Sequence, residues 1–106
     1  MSRPAARDPA ALAGQRLEQL RHEIDKVNEE ILRAVERRGT LVMRVLELKR
    51  ELGAPVVDPP REVEMLARLA ALVRGPFSRA DIQRIFQAIV VASRSLQQRP
   101  RSDDKP

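Results

Sequence analysis

The most constraining feature of this chain is a stretch free of proline from residue 10 to residue 54 that keeps an apolar residue at every third or fourth position. A seven-residue repeat places Leu17, Ile24, Ile31, Val45 and Leu52 on one row and Leu20, Val27, Ala34, Leu41 and Leu48 on the next. Such a pattern specifies a helix with a coiled-coil seam. At 1.5 Å per residue, roughly 40 residues make a rod of ~60 Å, whereas a compact chain of this size has a radius of gyration of ~13 Å. With 106 residues in all, too little chain remains to cover such a rod. The seam therefore calls for further copies, and a dimer, or a higher oligomer, in which the long helices cover each other is expected.

The rest of the sequence supplies two shorter helices. Gly53, Ala54 and Pro55 end the first. Asp58-Pro59-Pro60 forms a helix start, an acidic cap followed by prolines whose missing N–H costs little. This second helix is expected to turn Val63, Leu66, Leu69, Ala70 and Val73 inward and to stop near Gly75-Pro76. Ser78 with Asp81 resembles a capping box and opens a third helix with the stripe Ile82, Ile85, Phe86, Ile89, Val90, Ser93, Leu96 and Gln97. No alternating strand pattern occurs, so the fold class is all-α: long, short and medium helices. Residues 1–15 are expected to form a flexible leader, 16–98 the helical domain and 99–106 a disordered tail.

Composition narrows the chemistry. The chain has no Cys and one His, which excludes thiol nucleophiles, disulfides and ordinary zinc sites, so no metal is expected. The net charge of +5 lies partly in the termini, and only Phe77 and Phe86 are aromatic. A nucleic-acid partner would call for a concentrated basic face, with aromatic platforms for single strands, and none is expected. No apolar run is long enough to span a membrane and no signal peptide opens the chain, so a cytoplasmic protein without membrane contact is expected.

Polar residues interrupt the apolar pattern. Arg38 occupies a seam position, either setting register or extending its charge outward. Lys49 projects on nearly the same side about 16 Å further along the axis, and the two could straddle a small anion. Arg21 flanks the same seam about 25 Å from Arg38 along a straight helix, too far to share a site within one chain. In an antiparallel dimer crossing near residue 32 it would fall opposite the partner's 38–49 segment. Ser93 and Gln97 form an i, i+4 polar pair, and Asp58 and Glu62 share a face at the start of the second helix. These last four also have plain explanations in helix fraying, capping and compensation of the helix dipole.

Taken in order, the residues are Leu20-Arg21-x-x-Ile24-Asp25, Glu36-Arg37-Arg38, Lys49, Pro55-Val56-x-Asp58-x-x-Arg61-Glu62 and Phe86-Gln87-x-Ile89-x-x-x-Ser93-x-x-x-Gln97. Over about residues 16–98 this resembles the all-helical chorismate mutases. The resemblance implies an interlocked, antiparallel helical homodimer with two shared sites, in which Arg38 and the partner's Arg21 clamp the substrate carboxylates. Lys49 would bind a carboxylate and the ether oxygen, and Gln97 would be the second donor to that oxygen. Asp58 and Glu62 would hold the ring hydroxyl, with Arg61 and Ser93 assisting at a carboxylate. Two departures from the family pattern are Pro59-Pro60 beside Asp58 and Gly39 directly after Arg38.

The implied activity is conversion of chorismate to prephenate in aromatic amino-acid biosynthesis, a rearrangement within one molecule for which no cofactor is expected, with docking to another enzyme of that route a further possibility. The nearest rival is an isochorismate pyruvate-lyase, which shares fold and carboxylate clamps. A non-enzymatic helical dimer regulating another aromatic-pathway enzyme is the rival from a different class.

Overall fold

The computed structural model describes residues 8–98; residues 1–7 and 99–106, and with them the first seven residues of the expected leader and the whole expected tail, lie outside the described residues. Three helices follow in order: α1 (Pro9–Leu52), α2 (Pro59–Ala71) and α3 (Arg79–Gln97). None of them is long and apolar enough to cross a membrane.

Regular structure begins inside the segment expected to be a leader. The Ala10 N–H donates to Asp8 Oδ1 at 3.2 Å, the Leu12 N–H to the Asp8 carbonyl at 2.9 Å, and Pro9 fills the first helical position, where an N–H has no helical acceptor. Asp8 caps the helix, and Ala10, Ala11 and Ala13 carry it forward.

The chain divides into two units, one ending at Glu36 and one starting at Arg37. In the first, the described residues are helical from Pro9 onward and none is buried. Leu17, Leu20, Ile24, Val27 and Ile31 are all open to solvent, Ile24 at 57%.

In the second unit each helix contributes one buried apolar residue, Leu46 from α1, Ala70 from α2 and Val90 from α3. Leu46 belongs to neither row of the heptad. With 100° of rotation per residue, the inward face of α1 (Arg38, Val42, Leu46, Lys49) is centred about 80° from the seam residues Leu41, Val45, Leu48 and Leu52. Those four seam residues are exposed. Arg38, expected in the seam row, is half-buried on the inward face.

Gly39 follows Arg38 without breaking the helix, and a methyl group built on it would lie 3.4 Å from Leu96 Cδ1 of α3. α1 ends in a Schellman motif: the Ala54 N–H returns to the Lys49 carbonyl at 2.8 Å and the Gly53 N–H to that of Arg50 at 3.3 Å. Gly53 takes φ +66°, a conformation that costs a side-chain-bearing residue about 1–2 kcal/mol.

α2 starts as expected, with Asp58 Oδ1 accepting from the Arg61 N–H at 3.2 Å and Pro59 and Pro60 at the first two positions. It ends at Ala71, before Gly75-Pro76. The last turn tightens to three-residue spacing, with the Leu72 N–H donating to the Leu69 carbonyl at 3.0 Å and the Val73 N–H to that of Ala70 at 3.4 Å. Val63 does not turn inward and is 67% exposed; the inward stripe runs through Glu62, Met65, Leu66, Leu69, Ala70 and Val73. α3 opens on Ser78, whose Oγ accepts from the Asp81 N–H at 3.0 Å. Its stripe is inward as expected except for Ile85, which is exposed.

Candidate active site

A cavity of about 300 Å³ opens among the three helices of the second unit, at the lower end of small-molecule sites. Its polar lining consists of Arg38 and Lys49 from α1, Asp58 at the head of α2, Arg61 and Glu62 from α2, and Ser93, Arg94 and Gln97 from α3. Leu41, Val42, Leu46, Val56, Met65 and Val90 are among the apolar residues of the wall.

Arg38 is held by a relay that begins in the backbone. Ser93 Oγ donates to the Ile89 carbonyl one turn earlier at 2.8 Å, which commits its only proton and leaves its lone pairs to accept. Arg38 Nη1 donates to that oxygen at 2.8 Å. The serine in the apolar stripe thus fixes the guanidinium of a residue 55 positions earlier.

Lys49 sits in the last turn of α1, where a cation complements the carbonyl end of the helix. Its ammonium donates to the Val56 carbonyl at 3.3 Å, so the loop after the Schellman turn anchors it while two of its donors stay available. Asp58, the α2 cap, lines the cavity together with Arg61 and Glu62 in the first turn of the same helix. Gln97 lines it from the last turn of α3 and is half-buried. An amide donates without needing a proton from solution.

Of the eight positions singled out from the sequence, the structure brings seven to this one cavity. The eighth, Arg21, belongs to the unit ending at Glu36. It is exposed there and pairs with Glu18 one turn earlier at 3.3 Å, an exposed ion pair that contributes at most about 1 kcal/mol.

Two partners had no signal in the sequence. The Val56 carbonyl is backbone, which every residue carries. Arg94 lies off the apolar stripe of α3, and its Nη2 donates to Glu62 Oε2 at 2.9 Å, a pairing visible only once α2 and α3 are packed. Four cations and two carboxylates therefore line the cavity, an excess of positive charge suited to a small dianion.

A family model for chorismate mutase type II matches residues 20–98. The chain belongs to the type II chorismate mutase family. Chorismate mutase from Methanocaldococcus jannaschii is 31% identical over 84 residues, covering 78% of this chain and 85% of that protein. A bifunctional chorismate mutase/prephenate dehydratase from Aquifex aeolicus is 33% identical over 89 residues, which span 80% of this chain and only 25% of that protein. Two structures of the chorismate mutase of Thermus thermophilus superpose well. Form II has a TM-score of 0.77 at 48% identity, covering 79% of this chain and 96% of that one. Form I has 0.73 at 49%, covering 74% and 98%. The matched span holds every polar residue of the cavity, and Arg21 as well.

Proposed function

We propose that the chain converts chorismate to prephenate in this cavity, in the biosynthesis of phenylalanine and tyrosine, as a cytoplasmic homodimer whose sites are each completed by Arg21 of the partner chain. The reaction is a [3,3] rearrangement within one molecule: a C–O bond breaks as a C–C bond forms. It requires no general base, covalent intermediate or cofactor. The protein has to hold a flexible dianion in its compact reactive conformer and to stabilise negative charge growing on the ether oxygen.

The observation that carries this reading is the polar set in one small cavity, cations and an amide on one hand and two carboxylates on the other. Arg38, steadied by Ser93, and the partner's Arg21 clamp the two carboxylates of chorismate, with Arg61 assisting at one of them. Lys49 bridges a carboxylate and the ether oxygen, and Gln97 donates to the same oxygen. Both donors strengthen as charge develops, so they accelerate the step and do not merely tighten binding. Asp58 and Glu62 receive the ring hydroxyl. Because the Gln97 amide carries its proton at any ordinary pH, activity is expected to persist through neutral and mildly alkaline solution.

The test is direct. Purified protein is given chorismate, and loss of chorismate is followed with appearance of prephenate; isochorismate is offered in parallel. Prephenate formation supports the reading. Release of pyruvate from isochorismate with no action on chorismate would make the chain a lyase, and inertness toward both would leave a non-enzymatic helical dimer.

A further inference from the structure

Arg94 follows Ser93 on α3 and lines the cavity, yet its guanidinium is turned to α2, where Nη2 donates to Glu62 Oε2 at 2.9 Å. The two side chains are 43% and 26% exposed, so the pair is partly withdrawn from water. Arg94 Nε is shut off from solvent and donates to no described residue. Among the described residues Glu62 accepts a side-chain hydrogen bond at Oε2 alone, which leaves Oε1 for another donor.

A carboxylate in the wall of a cavity that receives a dianion opposes binding by like-charge repulsion, most strongly where water is scarce. A free Glu side chain would also be able to swing toward Arg61 or Lys49 and occupy a clamp. A guanidinium at hydrogen-bond distance offsets the charge and fixes one oxygen, leaving the other to meet a hydroxyl.

We propose that Arg94 is a positioning residue for the mutase reaction, acting through Glu62: it balances the Glu62 charge and holds that carboxylate so that one oxygen is presented to the ring hydroxyl of the substrate. The inference rests on the reading of the cavity as a chorismate site.

The experiment is a double-mutant cycle with kcat and KM for chorismate measured on the full chain. Arg94→Ala is expected to raise KM about tenfold while kcat falls less than about threefold, since binding of the dianion bears the unbalanced charge. In the Glu62→Gln background the same change is expected to raise KM clearly less than in wild type, because no carboxylate is left for Arg94 to hold and only its own attraction for the dianion is lost. Arg94→Lys retains a cation and is expected to stay within about threefold of wild-type KM.

An equal rise in KM in both backgrounds would overturn the proposal, because Arg94 would then act independently of Glu62. So would an Arg94→Ala variant with a lowered Tm and wild-type KM, for which the pair would only join α2 to α3. If Arg94→Ala does not fold, the lysine variant decides: a tenfold rise in KM despite the retained charge overturns charge balancing, and near-wild-type KM supports it. Wild-type protein that leaves chorismate unchanged removes the cavity reading itself. Turnover by wild type with additive effects in the cycle removes only the role of Arg94.

Discussion

Through Glu36, α1 presents Leu17, Leu20, Ile24, Val27 and Ile31 to solvent and buries nothing. From Arg37 onward the same helix has a second face: Leu46 is buried, Val42 half-buried, and Arg38 and Lys49 reach into a cavity walled by α2 and α3. The local rules are identical in both stretches, since both are capped, proline-free helix with the same heptad. What differs is which face finds a partner within the chain. The inward face after Arg37 meets two helices of its own chain, whereas the seam remains open along both stretches. Exposed apolar stripes of this kind suit the interface of the proposed dimer. In the proposed dimer the seam supplies association and the inward face the chemistry. The chemistry can therefore be broken while the dimer persists, whereas breaking the dimer also removes the partner's Arg21 and with it activity.

The largest expected effect comes from placing a charge in the seam. Ile24→Asp would put a carboxylate within the proposed interface, and both dimer and activity should be lost at micromolar concentration. His22→Asp, on the exposed outer side of the same helix, should change neither. Sedimentation together with chorismate consumption checks both, and a dimeric, active Ile24→Asp protein would place the interface elsewhere.

The inward face is broken by removing the donors to the ether oxygen. Lys49→Ala and Gln97→Ala should each lower kcat by ~10² or more, because these interactions strengthen in the transition state. The dimer should persist and Tm should change little. Near-normal turnover by either folded variant would contradict the role given to that donor.

Smaller effects belong to the start of α3, outside the cavity lining. Ser78→Ala removes the N-cap and should cost about 1 kcal/mol, read from the urea midpoint, with kcat unchanged. Asp81 completes the same cap. The Ser78 hydroxyl, then Arg84, hold its carboxyl below the ordinary value of 3.8. A lowered folded-state value means that the unfolded chain takes up the proton first, so this contribution is present above about pH 4 and is lost as the pH falls further. Wild type and Asp81→Asn should therefore differ in urea midpoint at neutral pH and converge in strong acid.

How much of this could be read from the sequence depended on the range of the interaction. Helix starts at Asp58-Pro59-Pro60 and Ser78 were readable because caps are local chemistry within one turn. Arg38, Ser93 and Gln97 stood out because each breaks an apolar period, and Lys49 because it projects to nearly the same side as Arg38. The seam was readable too, but the face that α1 turns to its own chain was not. Leu46 and Val42 form no separate repeat, and only packing against α2 and α3 distinguishes them from their neighbours.

The early start of α1 was missed because a single Asp8 before Pro9 sits in a segment whose Ala and Arg residues show no period. Val63 and Ile85 were expected inside because an apolar stripe is wider than the face one neighbour covers. Arg94 escaped for the opposite reason: it breaks no pattern, and its partner lies 32 residues away on another helix.

In the proposed dimer each site draws Arg38 from one chain and Arg21 from the other, and a mixing experiment tests this most directly. Arg21→Ala and Arg38→Ala homodimers should each be nearly inactive, since every site lacks a carboxylate clamp. Unfolded together and refolded, the two should yield half heterodimers, each with one intact site and one doubly defective site. Two-fold symmetry then predicts recovery of about a quarter of wild-type activity. A refolded mixture no more active than its parents, with heterodimers present, would contradict the shared site.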